Sequence, residues 1–309
     1  MLKVENLRKS FGTIKAVDGI SFEVKKGEVF GLLGPNGAGK STTISMISTL
    51  FPPSGGVILF EGRNILEDPK SIQRKLGVVP QDIALYPTLS GYENLSFWGN
   101  MYGLNGGELK RRIGEVAEII GLNGRIRDRV DKYSGGMKRR LNIGAALLHM
   151  PELLIMDEPT VGIDPQSRSH ILNTVLELNR QGMTIIYTSH YMEEVEYLCS
   201  RICIMDQGKI IASGSKEELV EMIGGKTEIE LSLEAMSDEV LEILKDCKGI
   251  DSSEQKEDHI LIRCENADLI LADIITKVTA GGYHLKSVGV KKPNLETVFL
   301  HLTGKALRD

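Results

Sequence analysis

The run Gly34-Pro-Asn-Gly-Ala-Gly-Lys-Ser41 constrains this chain more than any other stretch, because it stands between the apolar residues Val29–Leu33 and a helical pattern over Thr42–Leu50. Spacing of the form G-x-x-x-x-G-K-[ST] in a strand-to-helix connection makes a phosphate cradle. Gly34, Gly37 and Gly39 let backbone N–H groups curl round an anion, and the start of the helix adds partial positive charge. Lys40 is placed to reach the β and γ phosphates, and Ser41 to ligate magnesium. The whole run, Gly34, Pro35, Asn36, Gly37, Ala38, Gly39, Lys40, Ser41 and Thr42, is therefore expected to bind a nucleotide.

The residues around it agree. Short apolar runs at Gly77–Val79, Leu153–Met156, Thr184–Tyr187 and Ile202–Met205 alternate with helical patterns, which predicts a parallel sheet with crossover helices. Leu153-Leu-Ile-Met-Asp-Glu-Pro159 puts Asp157 and Glu158 at the C-terminal end of a buried strand, where ligands of open α/β sheets sit. Asp157 is expected to hold the metal and Glu158 to orient or deprotonate an attacking water. From about 88 to 150 the pattern is helical with no convincing strand, which predicts an inserted helical subdomain.

A chain of 309 residues is long enough for two domains. Glycine thins out after Gly224, and the charge changes at the same place. Residues 226–309 hold 11 Lys or Arg against 16 Asp or Glu, so they carry the whole net charge of −5. The expected division is 1–224 and 225–309. In the second part Ile229, Leu231 and Leu233 alternate with polar residues. Helical stripes follow at Val240, Ile243, Leu244, Cys247, at Leu271, Ile274, Ile275, Val278, and at Leu295, Val298, Phe299, Leu302. With strands near 248–254, 258–264 and 283–290, the order is βαββαβ plus a terminal helix, a ferredoxin-like arrangement. A neutral body and an acidic tail argue against nucleic acid as a partner. The cluster Lys138–Arg140 reads as a solvated helix face or a local anion contact. Cys199, Cys203, Cys247 and Cys264 show no CxxC, which predicts reduced thiols in the cytosol. No apolar run is long enough to span a bilayer, and no leader is recognisable at the N-terminus.

Tyr133-Ser-Gly-Gly-Met-Lys138 ahead of Asp157 resembles the signature of the nucleotide-binding subunits of ABC transporters, and other elements of that family occur in order. The resemblance implies ATP and Mg2+ as cofactors. It implies that Ser134, Gly135 and Gly136 face the phosphate loop of a second subunit, so that two ATPs are sandwiched in a head-to-tail homodimer. Ser134 is also a plausible plain helix cap. Phe11 resembles the aromatic that stacks on adenine, or is a core residue. Gln81 resembles the glutamine that touches the magnesium and links it to the helical insert, or is an exposed loop amide. Asp164 resembles the loop aspartate that crosses the dimer, and also suits the N-cap of the helix opened by Pro165. His190 resembles the switch histidine at the γ-phosphate. The resemblance thus makes Glu158, His190 and Gln81 catalytic, and Ser41, Gln81 and Asp157 the metal ligands. Met137 and Tyr133 depart from the commonest signature, where Gln and Leu stand. With Lys138-Arg-Arg-Leu141 and the tail Pro293–Thr303, the chain looks like the drug-resistance and sodium-export branch.

The implied function is an ATPase that dimerises on ATP and drives export through a membrane permease on a separate polypeptide, working on the cytoplasmic face of the membrane. Tyr86, Leu89, Phe97 and Trp98 are candidates for the permease contact, or pack within the insert. The rival readings are an importer ATPase, and a soluble ABC ATPase acting on the ribosome or DNA. Regulation of the dimer and a purely structural role are both open for the C-terminal module.

Overall fold

The computed structural model describes residues 1–234, 237 and 239–304, and the chain divides into two units, Met1–Lys216 and one beginning at Glu217. The first opens with the hairpin β1 (Leu2–Phe11) and β2 (Ile14–Val24), then β3 (Val29–Leu33) leads into α1 (Lys40–Ile47). β4 (Gly55–Phe60), β5 (Arg63–Asn64), α2 (Pro69–Gln73) and β6 (Leu76–Val79) follow. The insert consists of α3 (Gly91–Met101), α4 (Gly106–Ile119) and α5 (Gly135–Leu147). The chain then returns through β7 (Leu153–Asp157), α6 (Pro165–Arg180), β8 (Thr184–Ser189), α7 (Met192–Leu198), β9 (Arg201–Asp206) and β10 (Lys209–Gly214).

Five of these strands are the apolar runs expected from the sequence. With β10 they form a six-stranded sheet in the order β10-β9-β3-β8-β7-β6, parallel except for β10 at one edge. Both faces are covered, so successive residues go to different cores. Leu153 and Ile155 pack with α1 and the hairpin, while Leu154 and Met156 pack with the insert and α6. This is why β7 is apolar at each position from Leu153 to Met156 rather than alternating.

A second sheet, β2-β1-β4-β5, is antiparallel and has no clear signal in the residue pattern. Register shifts between Val4 and Leu7, Leu7 and Arg8, and Lys9 and Ser10 break the two-residue period, and Asn6 takes a positive φ of 47°. In the insert, Ser90 and Glu93 form a reciprocal capping box at the start of α3.

The second unit follows α8 (Lys216–Met222) with β11 (Thr227–Leu233), α9 (Glu239–Lys245), β12 (Ile250–Gln255), β13 (Ile260–Cys264), α10 (Ala267–Ala280), β14 (Leu285–Lys291) and α11 (Leu295–Thr303). Its sheet runs β12-β13-β11-β14 with every pairing antiparallel, the ferredoxin-like arrangement. Ile229, Leu231 and Leu233 face Val240, Leu244, Ile274 and Val278 in one core. The division precedes the Gly224-Gly225 pair, because Gly225 lies against both Val220 of α8 and Pro293.

Candidate functional site

Neighbouring parallel strands bring their C-terminal ends together, and the order β3-β8-β7-β6 decides what meets. Leu33 pairs with Ser189, Asp157 with Thr188, and Val79 with Met156. The phosphate loop, His190, Glu158 and Gln81 each follow one of these ends, so four segments distant in sequence share one rim.

The loop's shape needs its glycines. Gly39 has φ 102°, and a Cβ there would lie 2.5 Å from the Ala16 carbonyl oxygen; a Cβ on Gly34 would lie 2.3 Å from that of Met205. Gly39 is the N-cap of α1, which is why the helix starts at Lys40, earlier than the expected Thr42. Lys40 is only 4% exposed. Its Nζ donates to the carbonyls of Gly34 at 2.7 Å and Pro35 at 3.1 Å and lies 3.0 Å from Glu158 Oε1. Asn36, Gly37 and Ser41 are exposed, Thr42 is half-buried, and Ala38 is buried beneath the loop.

These groups open on a cavity of about 620 Å³ lined by Phe11, Lys40, Ser41, Gln81, Glu158 and Gln207 among others. Phe11 is 50% exposed and meets Phe51 edge to face at 5.8 Å. It stands on the rim and is no core residue. Ile14, Ala16 and Gln207 also line the cavity, and nothing in their local sequence marked them.

Glu158 is the meeting point. It is buried, with Lys40 on Oε1, and Gln81 Nε2 donates to its Oε2 at 3.4 Å. His190 Nδ1 lies 3.3 Å from the same oxygen but is not aligned for a hydrogen bond. Burial raises the Glu158 pKa, yet Lys40 and His190 outweigh it and hold the carboxyl below its usual range. The residue sits at φ 45°, a conformation that persists only where the surroundings impose it. Thr188 does so: its Oγ1 accepts from the Glu158 N–H at 2.9 Å and donates to Asp157 Oδ1 at 2.5 Å. Thr188 was not singled out from sequence, although it is the first residue of Thr188-Ser-His190.

Ser134, Gly135, Gly136 and Asp164 form a second grouping that does not line the cavity. Ser134 caps α5 by accepting from the Met137 N–H at 3.2 Å, and Ser134 and Gly135 are exposed. Gly136 is buried, and a Cβ there would lie 2.0 Å from Ser167 Oγ. Asp164 caps α6, accepting from the Ser167 N–H at 2.9 Å with Pro165 in the first turn. The basic cluster behind Ser134 is not a solvated face. Arg139 is buried, and Arg140 donates to the carbonyls of Ile120 and Gly121. Tyr86 and Phe97 are exposed and touch edge to face at 5.0 Å, whereas Leu89 and Trp98 are half-buried and Trp98 packs into the core.

The donor set fits a magnesium nucleotide. Glycine-shaped backbone and a buried ammonium meet the phosphates, while Ser41, Gln81 and one carboxylate, Asp157, are of the kind that holds Mg2+ alongside phosphate oxygens. Among the described residues no three His, Cys, Asp or Glu side chains gather to hold an ion by themselves. Nor is any helix among the described residues long and apolar enough to cross a membrane.

A phosphate cradle with acids and a histidine on adjacent strand ends defines a P-loop nucleoside triphosphatase. Residues 17–161 match the ABC transporter family. Over its full length the chain is 53% identical to the linearmycin resistance ATP-binding protein LnrL of Bacillus subtilis (strain 168), covering 100% of both. It is 37% identical to the Nod factor export ATP-binding protein I of Cupriavidus metallidurans, covering 100% of this chain and 99% of that one. Among solved structures, an ATP-binding subunit of an ABC transporter matches at TM-score 0.66 and 30% identity, covering 72% of this chain and 93% of that one. A dimeric ATP-binding cassette in a post-hydrolysis state with ADP and Pi matches at TM-score 0.64 and 25% identity, covering 70% and 98%. The chain belongs to the ABC transporter ATP-binding family: it is an ATP-binding, ATP-hydrolysing subunit of a transporter.

Proposed function

We propose that this subunit dimerises on ATP with a second copy of itself and drives export through a permease on a separate polypeptide, from the cytoplasmic face of the membrane. The observation that carries the dimer is the split site. Lys40 and Glu158 open on one cavity, while Ser134 and Gly135 are exposed at the start of a helix and have no part in it. A helix N-terminus with a serine and two glycines suits a phosphate, so the second copy supplies one to each cavity. The names of the relatives support export. Residues 1–224 are the ATPase domain in this reading, with 88–150 as its helical subdomain, and 225–309 an accessory module.

Within the site, Phe11 stacks on the base and the loop from Gly34 to Thr42 wraps the phosphates. Lys40 exchanges Glu158 for phosphate oxygens, which leaves the Glu158 carboxylate to accept the proton of the attacking water. Gln81 and His190 orient the same region, His190 toward the γ-phosphate. Ser41, Gln81 and Asp157 would hold magnesium, which would supply neutralisation of phosphate charge. Asp164 sits beside the Ser134 segment and belongs to the interface. Closure on ATP and opening after hydrolysis bias the permease between its two states.

Substituting Ser134→Arg separates the two halves of this reading. The variant should bind ATP like the parent, because Ser134 does not line its own chain's cavity, and lose most of its turnover. Parental turnover would overturn the shared site.

A further inference from the structure

Arg139 lies in the basic cluster Lys138–Arg140, outside the cavity lining. It is 4% exposed. Its Nη1 donates to the Pro80 carbonyl at 2.8 Å and its Nη2 to the Gln81 carbonyl at 2.6 Å. Three positions on, along the same face of α5, the buried Asn142 accepts the Ala84 N–H on Oδ1 at 3.2 Å. The 80–84 loop is therefore held by this one helix through two carbonyls and an amide. Burying a guanidinium is costly unless it is well paired. Burial draws its pKa down, and Asp82, Tyr187 and Asp157 push it back up. A planar fork reaches two neighbouring carbonyls at once, which a lysine does not. Gln81 in turn donates its side chain to Glu158, and α5 begins at the Ser134–Gly136 segment.

We propose that Arg139 is a positioning residue for hydrolysis: by clamping the Pro80 and Gln81 carbonyls it holds the Gln81 side chain against Glu158 and joins that loop to the helix that starts at Ser134. The inference rests on the roles given to Glu158 and Gln81 above. It makes the Gln81 loop and the first turn of α5 move as one piece.

The test is a double-mutant cycle on the full-length chain, comparing parent, Arg139→Met, Gln81→Ala and the double variant in steady-state ATPase assays with Mg-ATP. Arg139→Met should lower kcat by about 10- to 100-fold, the usual worth of a group that orients another. KM for ATP should stay near the parent's, because Lys40 and Phe11 are untouched. The double variant should be no slower than Gln81→Ala alone, since both substitutions break one linkage. Arg139→Lys should recover part of the loss, and it replaces Arg139→Met in the cycle if the methionine variant does not fold. Parental kcat in Arg139→Met, or losses that multiply in the double variant, would overturn the clamp. Parental turnover in Gln81→Ala would overturn the site reading itself, and the clamp with it.

Discussion

The two units of this chain bury different things. The second encloses aliphatic side chains, Ile229, Leu231, Leu244, Ile274 and Val278, between a regular antiparallel sheet and its helices. The first buries Lys40, Arg112, Arg139, Asp157, Glu158 and Glu194. Among the described residues, all the non-glycine residues at positive φ lie in the first unit, Glu158 included, and so do the buried polar side-chain atoms that lack a hydrogen-bond partner, such as His190 Nδ1 and Asn142 Nδ2. At Glu158 and His190 the strain and the unpartnered atom lie in the site itself. The first unit thus carries local conflicts that the described residues of the second do not.

Four substitutions or conditions sharpen that contrast. Glu158→Gln should keep ATP binding and cut turnover by about 10² to 10⁴, the worth of a general base, measured as phosphate release beside nucleotide titration. Ile274→Ala in the second unit should cost about 2–5 kcal/mol of stability by leaving a cavity, read by calorimetry, with the ATPase rate unchanged. A matching loss of ATPase would break the contrast. Lys40→Ala should weaken ATP binding by roughly 10- to 100-fold, the loss of a charge-assisted contact. Unaltered affinity would show that the phosphate site is misplaced.

The smallest effect concerns pH. Burial lowers the pKa of His149 below its ordinary 6.5, with Arg112 adding to it and the Leu76 carbonyl opposing it; burial and Arg140 lower His170. A histidine whose folded pKa is depressed takes up its proton first in the unfolded chain. Stability from these groups is therefore unaffected above 6.5 and falls as the pH drops below it. His149→Gln should flatten that decline in urea unfolding series, and an unchanged slope would remove His149 from the account.

What was legible depended on how far apart the partners stand in the chain. The phosphate loop is contiguous, and the strands of the parallel sheet are continuous apolar runs, so both could be read directly. The βαββαβ module could be read because its periods are clean. The β2-β1-β4-β5 sheet could not, since its bulges at Asn6 and around Lys9 scatter the apolar positions. Thr188 was hidden because its task is to bridge Asp157 and Glu158 on the neighbouring strand. Arg139 reads as part of a solvated face or an anion contact because its true acceptors, the Pro80 and Gln81 carbonyls, are backbone groups that carry no sequence signal.

In the proposed dimer one chain holds half of each site, with Lys40 and Glu158 on one copy and Ser134 presented by another. The most direct measurement is the mass of the Glu158→Gln protein by light scattering after gel filtration, with and without Mg-ATP. The expected result is a monomer that becomes a dimer when Mg-ATP is added, and that loses this response in Glu158→Gln with Ser134→Arg; a Glu158→Gln protein that gives the dimer mass equally with and without Mg-ATP would also count against it. A monomer that binds Mg-ATP and stays monomeric at every concentration would contradict it.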